Sequence, residues 1–141
     1  MNDIQDCMYM IKWIHDSLEK HMNQALSEYD LTMLQFGTLV RLHKVKQDCC
    51  TMKELERMLH LAQSTTAGLV KRLEQKGYVQ TLVDQQDHRI KNVHITPAGL
   101  HLCTFADKEV RNTVDRMFGG LETEELQTLI FLLKKICKQE N

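Results

Sequence analysis

The chain contains a single proline, Pro97, no C-x-x-C pair among its five cysteines, and no low-complexity linker or internal repeat. With only one proline, long helices can run unbroken. An odd number of cysteines (Cys7, Cys49, Cys50, Cys103 and Cys137) fits reduced thiols better than a disulfide framework. No apolar run is long enough to span a bilayer, and MNDIQDCMYM has neither the basic start nor the small-residue cleavage site of a signal peptide. A cytoplasmic protein without membrane attachment is therefore expected. The catalytic signatures G-x-G-x-x-G, Walker loop, H-E-x-x-H and G-x-S-x-G are also missing, so the chain is not expected to be an enzyme.

What is present is enough for one folded unit: 141 residues, 43% of them apolar. The net charge of -1 hides an uneven distribution. Residues 1–30 carry two basic and six acidic groups, residues 31–98 ten and six, and residues 99–141 six and seven. A basic centre between acidic ends can attract a polyanion locally while the whole stays near neutral. Ordinary solvated lysines would produce the same count, so the pattern needs support from a motif.

Periodicity makes most of the chain helical. Ile4, Cys7, Met8, Ile11, Ile14, Leu18, Met22 and Ala25 form one stripe, which Tyr9, Met10 and Trp13 widen beyond a single face. A terminal helix apolar on more than one side suggests a partner subunit. A second helix is expected in LTMLQFGTLVRLHKV after Asp30, with Leu31, Leu34, Leu39, Leu42 and Val45 inward. TMKELERMLHL opens with Thr51 and Glu54 at capping-box spacing and reads as a short third helix.

Next comes HLAQSTTAGLVKRL, where Thr66, Leu69, Val70 and Leu73 recur at i, i+3, i+4 and i+7. Ser64, Gly68, Lys71 and Gln75 fall opposite, and Gly77 ends the run. Two short helices with a tight joint and a slender outer face have the form of a helix-turn-helix. In YVQTLVDQQDHRIKNVHIT, Tyr78, Gln80, Leu82, Val93 and Ile95 flank a polar tip, as in a hairpin. Thr96 and Pro97 suit the start of a long helix reaching about Phe118, before Gly119 and Gly120. A last helix starts at Thr123, with Glu124 and Glu125 in its first turn and Lys134, Lys135 and Lys138 near its end, matching the macrodipole.

This order of elements resembles the MarR family of winged-helix transcriptional regulators over nearly the whole chain. The most specific parts are LVKRLEQKGYV (Leu69 to Val79), DQQDHRIKNVHIT with Asp87 and Arg89, and TPAG (Thr96 to Gly99). The resemblance implies a mainly α fold with a small β-hairpin wing, assembled as an intertwined homodimer that binds a pseudo-palindromic double-stranded DNA operator. It divides the chain into a dimerisation helix at 1–28, a winged helix-turn-helix lobe at 29–98 and dimerisation helices at 99–141, intergrown as one domain. It also implies a repressor, released by a small-molecule effector or an oxidant.

Under that resemblance the helix from Gln63 enters the major groove, so its outer face must be small or able to hydrogen-bond base edges. Gln63, Ser64 and Thr65 lie at its positive N-terminal end, and Gly68 lets the backbone approach closely. Lys71 and Arg72 reach phosphates or guanine. Ala62 and Gly68 depart from similar sequences, which often have a hydroxyl or acidic cap and a larger polar residue there. In the wing, Arg89 resembles the family arginine of the minor groove, Asp87 is placed to orient it, and Lys91 is a phosphate contact. An ordinary solvated face and loop, in a winged-helix protein–protein module without DNA binding, is the rival reading.

Cys7 is the candidate redox sensor, because the redox-sensing branch resembling OhrR carries a reactive cysteine on its first helix. That branch holds the thiolate with tyrosines, whereas Ile11 stands one turn on here and Tyr9 points elsewhere. A small buried core cysteine is the favoured reading of Cys7, since an apolar setting blunts a thiol. Neither a metal centre nor a cofactor is expected. His101 and Cys103, two apart on a helix, do not share a face. Cys49 and Cys50 could take soft metals or electrophiles, but two half-buried thiols are the simpler reading.

Overall fold

The structure is a computed structural model and describes residues 2–138. Among these, six helices and three strands follow one another as α1 (Asp3–Leu26), α2 (Met33–Lys44), β1 (Cys49–Thr51), α3 (Met52–Leu59), α4 (Gln63–Gln75), β2 (Val79–Val83), β3 (Lys91–Ile95), α5 (Pro97–Phe118) and α6 (Thr123–Cys137). The fold is mainly α with a small antiparallel sheet, as the sequence implies. No described helix is long and apolar enough to cross a membrane.

Local chemistry sets most boundaries. Asn2, Thr32 and Thr51 each cap a helix reciprocally with the residue three positions on, Gln5, Gln35 and Glu54. Thr96 Oγ1 accepts the Gly99 amide while Pro97 occupies the first turn of α5. The cap of α2 corrects the expected start after Asp30. Asp30 instead sits in the left-handed region, φ 54°, at the end of a 3-10 turn, Ser27–Tyr29. Gly77, at φ +81°, allows the tight exit from α4 into β2.

The sheet order is β1-β3-β2. The expected hairpin is β2 and β3, and β1 adds a third strand whose Cys49, Cys50 and Thr51 face His94, Val93 and Asn92. The strand before the helix-turn-helix is thereby tied to the wing.

The core gathers between α2, α3, α4, the sheet and the end of α1. Leu26, Leu39, Leu42, Leu55, Leu73 and Val93 are fully buried, each contributing roughly 1.5–3 kcal/mol relative to an exposed position. Leu34, expected inward, is exposed. Lys76 joins the end of α4 to the turn before α2 through the Asp30 carbonyl, the Asp30 carboxylate at 3.5 Å and Gln35 Oε1 at 3.3 Å.

The terminal helices are different. α1 lies along α5, yet only Met22 and Leu26 of α1 are buried, and α6 buries no residue. Ile4, Met8, Ile11, Trp13 and Ile14 on α1 are exposed, as are Phe131, Leu132 and Ile136 on α6.

Candidate nucleic-acid interface

α4 presents two unlike faces. Thr66, Leu69, Val70 and Leu73 are buried, as their spacing requires. Gln63, Ser64, Thr65, Gly68, Lys71 and Arg72 are all exposed. Ala62, the residue before the helix, gives its first amides no side-chain cap, so they are free for an outside acceptor.

Gly68 is informative because nothing inside the chain requires it. A Cβ there would meet no atom within 4 Å, yet glycine costs a helix interior about 1 kcal/mol relative to alanine. The missing side chain on this exposed face leaves room for close approach from outside. Lys71 and Arg72 have no ion-pair partner among the described residues. Both remain available to an anion.

The wing is held by two aspartates with separate tasks. Asp84 Oδ2 accepts the amides of Gln86 and Asp87, each at 3.0 Å, and Oδ1 accepts from Asn92 Nδ2 at 3.1 Å. These bonds, with the Asp87 amide first, hold the Asp84 carboxyl below its ordinary pKa. Asp87 takes Arg89 Nε at 3.0 Å and Nη2 at 3.1 Å, a bidentate pair. The Arg89 side chain is nevertheless 91% exposed, so the pair aims the guanidinium without covering it. That hydrogen-bonded contact also lowers the Asp87 pKa and raises that of Arg89.

A cleft of about 700 Å³ between α3, the first turns of α4 and the wing is lined by Lys53, Arg57, Gln63, Ala67, Arg89 and Lys91, with Asp87 also on its wall. The structure thus brings Gln63 beside Asp87, Arg89 and Lys91. Ser64, Thr65, Gly68, Lys71 and Arg72 continue along exposed α4 outside that lining. Sequence reasoning missed Lys53 and Arg57 as individual residues, although both belong to the basic central segment. It also missed Asp84, whose three bonds depend on closure of the loop.

Residues 29–90 match the sequence profile of the MarR family. That match spans the helix-turn-helix and the wing as far as Ile90, and the similarity to MarR-family proteins extends over nearly the whole chain. The chain is 29% identical over 138 residues to the uncharacterized HTH-type transcriptional regulator YybA of Bacillus subtilis (strain 168), covering 98% of this chain and 89% of that one. A crystal structure of a mutant MarR from E. coli complexed with operator DNA superposes with a TM-score of 0.87 at 27% identity, covering 96% of each chain. The S. aureus MepR–DNA complex gives 0.87 at 26% identity, covering 94% of this chain and 96% of that one.

The remaining candidate, Cys7, is exposed within the chain. The expected core burial is not met there, because none of the described residues covers the apolar stripe of α1 at that end. Cys103, by contrast, is half-buried, and burial pushes its thiol up to about 11. Cys50 is buried, with its thiol likewise pushed up to about 11. Neither environment favours a thiolate.

Proposed function

We propose that this chain is a member of the MarR family and a sequence-specific DNA-binding transcriptional regulator that acts as a homodimer on a pseudo-palindromic duplex. In this reading α4 enters the major groove with Gln63, Ser64, Thr65 and Gly68 leading, while Lys71 and Arg72 hold phosphate or guanine. Arg89, aimed by Asp87, enters the minor groove, and Lys91 contacts a phosphate. One observation carries it: the outer stripe of α4 is slender, uncapped and unpaired, and it adjoins an arginine that is oriented yet open. The operator-DNA complex of MarR and the DNA complex of MepR, both similar in structure to this chain, support the same reading.

The exposed apolar faces of α1 and α6 support the homodimer, since a second copy can cover them. We read the protein as a repressor, acting on genomic duplex in the cytoplasm, whose affinity falls when a small molecule or oxidant alters the spacing of the two lobes. Exposure of Cys7 in a single chain leaves it a candidate for the oxidant branch. No observation favours the protein–protein module without DNA binding.

Salt-dependent titration separates the assigned roles. Lys91→Ala should weaken binding to all duplexes alike and reduce the salt slope by about one per protomer, because it removes one phosphate contact. Lys71→Ala should shift base preference or lower affinity. Unchanged motif and affinity in Lys71→Ala at every salt concentration would contradict the placement of α4.

A further inference from the structure

On the outer face of the sheet, at the opposite end of β3 from the wing tip, a thiol and an imidazole meet. Cys49 on β1 and His94 on β3 are register partners, and Cys49 Sγ lies 3.4 Å from His94 Nε2. Both side chains are half-buried. Gln80 of β2 is the other register partner of His94, so it lies on the same face, whereas neighbouring Cys50 turns into the core. A cleft of about 500 Å³ beside β1, lined by Lys46, Cys49, Cys50, Glu54, Arg57 and Met58, reaches the Cys49 side of the pair.

We propose that Cys49 and His94 form the seat of a thiophilic divalent cation of the zinc class, held by thiolate and imidazole across the β1–β3 pair. The spacing suits this use. Zinc–sulfur and zinc–nitrogen bonds of about 2.3 and 2.0–2.1 Å at a tetrahedral angle set sulfur and nitrogen about 3.5 Å apart. The observed 3.4 Å therefore needs only a small adjustment of either side chain. Water fills the remaining positions of the ion.

Burial works against thiol nucleophilicity at Cys49. Burial raises the Cys49 thiol above its ordinary pKa, and the negative Glu54 carboxylate adds to the shift. At neutral pH the thiol keeps its proton, which it can donate to His94 Nε2. A metal ion reverses that balance, since a coordinating thiol is deprotonated outright. Cys49 gives its S–H proton to solvent and a metal–sulfur bond forms, with Glu54 attracting the bound cation from a cleft wall that it shares with Lys46 and Arg57. Oxidation state does not change. The bound ion clips the strand that leads into α3 to the strand that descends from the wing.

Cobalt(II) is the probe, because a thiolate ligand produces a sulfur-to-cobalt charge-transfer band. The parent is the full chain with the exposed thiols removed by Cys7→Ser and Cys137→Ser. An exposed group of His15, Asp16 and Glu19 on α1 could also gather around an ion, but without sulfur it cannot produce the band. One equivalent should give the band in the parent. Adding Cys49→Ser should abolish it, and His94→Gln should weaken cobalt binding by more than about tenfold, since even outer-shell partners of metal ligands are worth 10–100-fold. Cys50→Ala should leave it intact. Circular dichroism confirms folding, and if Cys49→Ser does not fold, the parent and His94→Gln decide. Absence of the band in the parent, its survival in Cys49→Ser, full affinity in His94→Gln or loss in folded Cys50→Ala would each overturn the proposal.

Discussion

Leu39, Leu55 and Leu73 in the region from α2 to β3 are closed off from solvent, while Ile4 and Trp13 on α1 are 80% and 73% exposed. The two regions draw on the same residue types and helical spacing, yet among the described residues only one finds its packing partner. The central region supplies helix faces, a sheet and the end of α1 to one core. The free ends of α1 and α6 supply apolar faces that the described residues leave exposed. Periodicity therefore reports that a face needs covering, and geometry decides whether the cover is internal. Large open apolar surface of this kind marks an association site.

The strongest way to break this contrast is to remove residues 1–28. Deletion takes Met22 and Leu26 from the core and also removes one side of the proposed dimer. Aggregate or unfolded chain is expected. A well-behaved folded monomer at micromolar concentration, measured by light scattering, would mean that the central region is independent of α1.

Two point substitutions sharpen it. Leu73→Ala, in the closed core, should lower unfolding free energy by about 2–5 kcal/mol in urea titrations. Phe131→Ser, at a position 59% exposed on α6, should instead weaken self-association, losing up to about 3 kcal/mol of apolar burial per protomer. Sedimentation on dilution reads that change. A Phe131→Ser protein with the parent's dimer affinity would argue that α6 does not meet a second copy there.

A smaller effect is expected at Ala62, the uncapped start of α4. Ala62→Asp should stabilise the fold by about 1 kcal/mol, since the backbone already has the extended conformation of an N-cap. The same carboxylate should repel phosphate and weaken duplex binding. Stronger DNA binding would show that the amides at this end do not face the backbone of the duplex.

The smallest effect concerns pH in the wing. Asp84 has a folded-state pKa below its ordinary value of 3.8. Its stabilising bonds are therefore fully present above that value and lost only as pH falls through the lower folded value. The Asn92 side-chain amide resonance should stay constant near neutrality and move only in acid below 3.8. Movement near neutral pH would exclude Asp84 as its partner.

Much of this arrangement was legible where one local signal acts alone. Thr51 with Glu54, Thr96 with Pro97, Gly77, and the buried stripe of α4 are each legible directly, and the resemblance pointed to Asp87 beside Arg89, to which the structure adds the bidentate geometry. Errors arose where signals compete or partners are distant. Asp30 and Thr32 are both plausible caps, and only Thr32 has Gln35 three residues on to complete the box. β1 is three residues long, too short to display alternation. Cys7 sits on a genuine apolar stripe that none of the described residues covers. Cys49 and His94 are 45 residues apart, so their meeting depends on the strand register.

The most direct test of DNA reading by paired α4 helices is selection of bound fragments from random duplex DNA with the intact protein. The account predicts an enriched motif of two inverted half-sites about one helical turn apart, 10–10.5 base pairs between centres, whose base preference changes in Lys71→Ala. A pool without enrichment, or a single unpaired site bound equally by Lys71→Ala, would contradict it.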